Sequence, residues 1–287
     1  MEKSTSGWLN GFLGMLIFSA SLPATRVAVV HFDPVFLTVA RAAIAGLLGA
    51  VLLLAFREKR PARNDMVPLA IVAFGVVLGF PLFTALALKY VTSAHSLVFI
   101  GLLPLSTAIF GMLRGAEHPR PAFWIFSILG SSLVVGFALT QNLAASPIGD
   151  ALMLAAIIVC GLGYAEGAKL SRTLGGWQVI SWALVLSLPV MLPLSLYLLP
   201  PSFAAVNAPA WIGFAYVSLF SMLIGFVFWY RGLAQGGIAA IGQLQLIQPF
   251  FGLVWAALLL HETVSTLMIV VMAGVIACVA GARKFAG

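Results

Sequence analysis

The chain has 287 residues, of which 62% are hydrophobic and only 8% charged, and its mean hydropathy is +1.11. Soluble domains carry about a quarter of their residues charged, so this composition excludes a soluble globular protein and predicts one that spans a lipid bilayer. The net charge of +7 comes from scattered basic residues and does not indicate nucleic-acid binding. The two cysteines, Cys160 and Cys278, lie in apolar stretches and predict neither a disulfide framework nor a metal site.

Apolar stretches long enough to cross a bilayer follow one another along the whole chain. A span needs about 20 mostly apolar residues. The first stretch is preceded by a single basic residue, Lys3, and its length predicts a retained helix and not a cleaved signal peptide. On this basis the sequence predicts an all-α integral membrane protein with ten transmembrane helices, at residues 8–29, 35–56, 66–89, 93–113, 121–140, 149–170, 177–199, 209–231, 238–260 and 264–283.

The second half of the chain repeats the first. Pro104 and Glu117 recur 145 positions later as Pro249 and Glu262. A shift of half the chain length indicates duplication, and predicts one repeat over residues 1–145 and another over residues 146–287. With five helices in each repeat, the second copy enters the membrane from the opposite side. Inverted repeats of this kind suit alternating access to a central site.

Basic residues predict the orientation, because loops rich in Lys and Arg stay in the cytoplasm. Placing both termini in the cytoplasm leaves Arg26 and Lys89 on the outer side and Arg41 within a span. The remaining twelve basic residues then lie on the cytoplasmic side: Lys3, Arg57, Lys59, Arg60, Arg63, Arg114, Arg120, Lys169, Arg172, Arg231, Arg283 and Lys284.

Several short motifs follow one another in a characteristic order and spacing across both halves. They are Asp33-Pro34 followed by Arg41, Ala87 to Tyr90, Ser93-Ala94 leading to Pro104 and Glu117, Gly149-Asp150, and Ala239 leading to Pro249, His261-Glu262 and Gly274. Over nearly the whole chain this pattern resembles the ten-helix EamA-type branch of the drug/metabolite transporter superfamily. The resemblance implies a bacterial inner-membrane carrier without ATP hydrolysis, commonly an exporter of amino acids, other metabolites or toxic compounds.

Ionisable residues at membrane depth are costly and are candidates for function. Glu166 is the acidic residue that falls inside a predicted span, where it could carry a coupling proton or hold a substrate amine, or pair structurally with Lys169 one turn on. His95, with Ser96 beside it, opens the fourth span and could carry a proton, bind substrate or only sit at the interface. Arg41 could attract a substrate carboxylate, snorkel to the headgroups, or pair with Asp33 and brace the scaffold, and of these we favour the scaffold role.

Amides and prolines predict where the substrate binds. Gln245 and Gln248 share a helix face that Trp255 extends, and Tyr164 lies deep enough in its own span to line the same cavity. Pro249 leaves the carbonyl of Gln245 without its helical donor, and Pro104 does the same for Ile100 in the other repeat, as at a discontinuous-helix site. The alternative is that the amides only join helices to one another.

These features predict a secondary transporter that exports a small organic solute, with no metal or cofactor; its partners are the solute and the lipid bilayer, without nucleic acid, and the sequence leaves the oligomeric state open. A facilitative uniporter, a channel-like protein or an accessory membrane subunit are the alternatives. An integral-membrane enzyme is the remote alternative, because the sequence shows no paired carboxylates, metal-spaced ligands or phosphate loop.

Overall fold

The computed structural model describes residues 2–91, 96, 99–140, 146–260 and 266–286, and within these ranges the regular structure is entirely helical. The α-helices, numbered along the chain, are α1 (Glu2–Ser19), α2 (Ser21–Ala28), α3 (Pro34–Ala55), α4 (Met66–Val72), α5 (Phe80–Ala87), α6 (Leu103–Gly115), α7 (Pro121–Leu139), α8 (Pro147–Ser171), α9 (Gly176–Tyr197), α10 (Ala208–Tyr216), α11 (Gly225–Gly236), α12 (Ile238–Gly242), α13 (Gln248–Leu260) and α14 (Thr266–Phe285).

Six helical segments in the described residues are long and apolar enough to cross a membrane. They coincide with six of the predicted spans, and the number ten stays a prediction, because other predicted spans form shorter helices or include residues outside the described ranges. The six segments are Thr5–Ala28, Pro34–Ala55, Arg63–Ala87, Pro147–Ser171, Gly176–Tyr197 and Ala208–Gly236.

Polar caps fix where several of these helices begin. The Asp33 carboxylate accepts hydrogen bonds from the backbone nitrogens of Val35 and Phe36, and Pro34 occupies the first helical position of α3. The Asn207 side chain accepts from the Ala210 nitrogen at the start of α10 in the same way. Such caps satisfy backbone donors that have no partner within the helix, so they set the helix start at the end of an apolar stretch.

Glycines bring α1 and α11 into backbone contact. A Cβ atom added at Gly232 would lie 2.5 Å from the backbone nitrogen of Gly11, and one added at Gly14 would lie 2.8 Å from the backbone nitrogen of Trp229. Helices in a membrane gain association energy from close approach of this kind, since the lipid supplies no hydrophobic driving force between them.

We expect Gly232→Ala to destabilise the protein, because the added methyl group meets rigid backbone and not a flexible side chain. Overpacking of this kind costs about 1–3 kcal/mol. The matched control is Gly136→Ala, since nothing lies within 4 Å of a Cβ atom at Gly136. The apparent unfolding temperature in detergent should fall for Gly232→Ala and stay unchanged or rise for Gly136→Ala; equal shifts would contradict this packing.

Two long helical segments change to π-helix at corresponding places. The turns at Ala73–Gly79, between α4 and α5, and at Val217–Ile224, between α10 and α11, are π-helical. The second π segment ends 145 residues after the first, which is the offset that relates the two prolines. π-helical turns inside α-helices often occur at functional sites, because they displace side chains from their regular positions.

Two further helices are interrupted just ahead of a proline. A turn at residues 101–102 precedes α6, whose second residue is Pro104, and a 3₁₀ turn at Gln243–Leu246 precedes α13, whose second residue is Pro249. Proline cannot donate the backbone hydrogen bond that would continue the preceding turn. The breaks therefore lie where the sequence predicts discontinuous helices.

Candidate functional site

A narrow cavity lies where α3, α5, α8 and α11 meet the two π-helical turns. Its free volume is about 30 Å³, roughly the space of one water molecule. The cavity must therefore widen before an organic solute can enter. The residues that line it are Phe18, Ser21, Leu22, Thr25, Arg41, Val76, Phe80, Thr84, Leu103, Tyr164, Ser221, Phe226 and Gln248.

Arg41 is the charged side chain of this lining, and only 5% of its surface is exposed. The predicted pairing with Asp33 is wrong, because Asp33 caps α3 and forms an ion pair with Lys89, 3.5 Å away. Within the described part of the chain, Arg41 has no ion pair, and its Nε has no hydrogen-bond partner. A buried guanidinium without a counter-ion thus faces the cavity.

Polar side chains from both halves of the chain meet in the cavity. The Ser21 hydroxyl donates to the Ser221 hydroxyl at 2.8 Å, joining α2 to the second π-helical turn. Gln248, at the start of α13, lines the cavity and is 8% exposed, and its Oε1 has no hydrogen-bond partner among the described residues. The cavity wall therefore offers uncommitted hydrogen-bonding groups.

Gln245 and Gln243 lie in the 3₁₀ turn that interrupts the helix ahead of Pro249. Both side chains are fully buried, and neither amide makes a hydrogen bond to a described residue. Gln245 lies beside the Tyr164 hydroxyl, and Tyr164 lines the cavity. Neither glutamine is part of the lining, but Gln245 is adjacent to the cavity through Tyr164.

Aromatic side chains form the wall of the cavity between α8 and α11. The Tyr164 ring centroid lies 5.4 Å from that of Trp229 and 6.0 Å from that of Phe226. The Tyr230 hydroxyl donates to the Gly163 carbonyl at 3.2 Å and so ties the two helices together. The two rings of this wall that line the cavity, Tyr164 and Phe226, are apolar apart from the Tyr164 hydroxyl, so they suit the hydrocarbon part of a solute.

Other candidates from the sequence lie elsewhere or outside the described residues. The Trp255 indole donates to the Ser19 hydroxyl at 2.9 Å and is not part of the lining. Ser96 is fully buried and is not in the lining either, while Pro104 and Pro249 are buried in the first turns of α6 and α13. His95 lies outside the described residues.

Glu166 lies on α8 but does not line the cavity. Its Oε1 accepts a hydrogen bond from Nε of Arg114 at the end of α6, and the expected pairing with Lys169 is not formed, since Lys169 is exposed. The Glu166 side chain is 0% exposed and that of Arg114 is 46% exposed. The pair joins the two halves of the chain.

A second polar link, absent from the sequence-based candidates, starts from Glu117 in the loop after α6. Ala116 adopts a left-handed conformation with φ 53°, which ends α6. The Glu117 carboxylate accepts hydrogen bonds from the backbone nitrogens of Ile238 and Ala239, both at 2.7 Å, and forms an ion pair with Arg172 at 3.1 Å. We call this set of contacts the Glu117 latch. Only the recurrence of Glu117 as Glu262 marked it in the sequence.

A wider cavity opens beside the Glu117 latch, at the end of the bundle where Arg114, Arg172 and Arg283 lie. Its volume is about 370 Å³, and the Arg283 guanidinium within its wall lies 4.6 Å from the ring of Trp8. No group of three or more His, Cys, Asp or Glu side chains that could hold a metal ion is present in the described ranges.

Known proteins with similar sequences are transporters. A protein of Bacillus subtilis named as an uncharacterized transporter, YdeK, is 69% identical over 286 residues and is matched over 100% of both chains. An uncharacterized transporter of Archaeoglobus fulgidus is 23% identical over 253 residues, covering 87% of this chain and 88% of that one. A crystal structure with 21% sequence identity matches 98% of both chains with a TM-score of 0.78, which establishes a shared fold.

The model of the EamA-like transporter family matches the chain twice, over residues 5–139 and 147–283. Together these ranges cover nearly the whole sequence. The apolar composition, the six long apolar helices and the relatives agree in indicating a multi-pass membrane protein that transports and is not an enzyme. The chain belongs to the EamA-like transporter family.

Proposed function

We propose that this transporter moves a small organic solute by alternating access through the cavity lined by Arg41, Tyr164 and Gln248. The observation that carries the proposal is the cavity itself, which gathers uncommitted polar groups at the π-helical turns yet is too small for a solute. Binding therefore requires the surrounding helices to separate. In a transporter, such a separation toward one membrane face at a time would carry the solute across.

Two inverted five-helix repeats, residues 1–145 and 146–287, would supply the moving parts, with ten transmembrane helices in all. Three observations support this arrangement: the family model matches two ranges, and both the π-helical turns and the helix breaks recur at the same offset. The glycine-mediated contact of α1 with α11 also has a counterpart between α8 and the first π-helical turn, where Gly75 meets Gly163.

In this proposal the protein lies in the bacterial inner membrane with both termini in the cytoplasm, and it exports its solute. The placement of basic residues supports this orientation. The Glu117 latch and the Arg114–Glu166 pair then lie at the cytoplasmic end of the cavity, and the Lys89–Asp33 pair lies at the outer end.

In this proposal the substrate is held by Gln248 and Tyr164 in the cavity and by Gln245 beside it, with Ser96, His95 and Trp255 as further candidates. Arg41 contributes to the cavity and does not brace the scaffold. Pro104 and Pro249 maintain the two helix breaks. Glu166 and His95 are the residues through which protons would couple to transport. Uptake driven by an imposed pH gradient, and lost in Glu166→Gln or His95→Ala, tests that coupling.

Solute counterflow into liposomes that contain the purified protein tests the proposed function. We expect Gln248→Leu and Gln245→Leu each to reduce counterflow at least about fivefold, because loss of a buried hydrogen bond to a solute costs about 1–3 kcal/mol. Gln243→Leu is the matched control: it removes an equally buried amide outside the lining and should leave counterflow unchanged.

Counterflow that survives Gln248→Leu and Gln245→Leu would contradict this binding site. Flux without saturation or competition would favour a channel-like protein. No counterflow across a panel of amino acids and small aromatic metabolites would favour an accessory membrane subunit.

A further inference from the structure

We infer that the cavity binds an organic anion, a monocarboxylate with an apolar body, whose carboxylate pairs with the Arg41 guanidinium. The inference rests on the proposed transport function and names its substrate class. Among the described residues of the lining, Arg41 is the charged one, and the others are neutral polar or apolar.

Among the described residues, the buried charge of Arg41 has no counter-charge. Buried charges in proteins are paired, because an isolated buried charge loses its hydration and gains no attraction to a counter-charge that would offset this loss. The nearest carboxylate in sequence, Asp33, is held by two backbone nitrogens and Lys89, and the Glu166 carboxylate on neighbouring α8 is held by Arg114. Both acids are thus committed elsewhere, which leaves the counter-charge for Arg41 to a ligand.

Donors also outnumber acceptors in the lining. The guanidinium carries five N–H donors in a fork that matches the two oxygens of a carboxylate. The Gln248 amide and the hydroxyls of Ser221 and Tyr164 add further donors, whereas a substrate amine would find no carboxylate among the described residues of the lining. This donor excess favours an anionic ligand over a cationic one.

The remaining side chains of the lining are mostly apolar and indicate that the rest of the anion is apolar. Phe18, Phe80 and Phe226 contribute rings, and Leu22, Leu103 and Val76 contribute aliphatic groups. Transfer of apolar surface from water to such a wall is favourable by about 25 cal/mol per Å². A monocarboxylate with an aliphatic or aromatic body satisfies both parts of the site, whereas a multiply charged anion would leave charge unpaired.

Thermal unfolding of the purified full-length protein tests the inference with carboxylates and their amides of the same shape. The probes are benzoate with benzamide, indole-3-acetate with indole-3-acetamide, and hexanoate with hexanamide, with chloride as the inorganic anion. We expect at least one carboxylate to raise the apparent unfolding temperature while its amide does not. Arg41→Gln should abolish this rise, and the matched control Arg231→Gln, at an exposed arginine outside the lining, should retain it.

A second variant tests the uncompensated charge without any ligand. Replacement of an uncompensated buried charge by an apolar residue of similar length is neutral or stabilising. Arg41→Met should therefore match or exceed the wild-type unfolding temperature, whereas a scaffold arginine would lower it on removal.

The inference would be overturned by amides that stabilise as well as carboxylates, by a carboxylate response that survives Arg41→Gln, or by an equal response to chloride. Absence of a shift with every carboxylate would also overturn it. Counterflow of neutral or cationic solutes that is unaffected by Arg41→Gln would keep the transport function and reject the anion. Carboxylate binding through Arg41 without any counterflow would keep the anion site and reject transport.

Discussion

Glu117→Gln should lower the apparent unfolding temperature in detergent markedly, because it dismantles the Glu117 latch at its centre. One carboxylate holds two backbone nitrogens at 2.7 Å and the Arg172 guanidinium at 3.1 Å. An amide has a single acceptor oxygen, so its NH₂ group would face one of the backbone donors. Hydrogen bonds to a charged group contribute about 1.5–3 kcal/mol each, so we expect a loss of about 2 kcal/mol.

The control for Glu117→Gln is Arg172→Gln. It removes only the ion pair, whose arginine side chain is 41% exposed, and leaves the carboxylate on the two backbone nitrogens. Exposed ion pairs contribute about 0–1 kcal/mol, so this variant should unfold close to the wild-type temperature. If Arg172→Gln destabilised the protein as much as Glu117→Gln, the ion pair and not the capping of α12 would hold this end together.

Arg114→Ala is the second change for which we expect a large effect. It removes the guanidinium that binds Glu166, whose side chain is 0% exposed, and so leaves a buried carboxylate without a counter-charge. Breaking a buried pair in this way costs about 3–5 kcal/mol, and we expect the lower end because the arginine itself is half exposed. Glu166→Gln should cost less, since it removes the buried charge and leaves Arg114 free to turn toward solvent.

The double variant Arg114→Ala/Glu166→Gln separates a specific pair from two independent effects. With no buried charge left, it should recover most of the stability that Arg114→Ala loses, as read by unfolding temperature in detergent. Additive losses in the double variant would show that the two residues act separately, since residues in contact are expected to couple by 0.5 kcal/mol or more.

Long hydrophobic stretches and helix-breaking prolines made much of the helical arrangement predictable. The long apolar segments follow from composition, and the interruptions ahead of Pro104 and Pro249 follow from the missing proline donor. The π-helical turns were not predictable, because their residues look like those of any apolar helix.

Partners across helices were harder to predict than residues at membrane depth. Spacing along one helix suggested Lys169 for Glu166 and Asp33 for Arg41, but Arg114 of α6 binds Glu166, and Lys89 binds Asp33. Local spacing records only neighbours on the same helix, whereas these pairs depend on how distant helices pack. For the same reason the contacts of the Glu117 latch could not be predicted, since its acceptor and donors are about 120 residues apart in the sequence.

The most direct test of alternating access is the accessibility of the cavity from each side of the membrane. Ser221→Cys, in a background with Cys160→Ala and Cys278→Ala, places one thiol in the lining, and a membrane-impermeant thiol reagent is then applied to right-side-out and inside-out vesicles. The account predicts labelling from both sides, slowed by a transported solute on either side. Labelling from one side only, or labelling that no transported solute slows, would contradict it.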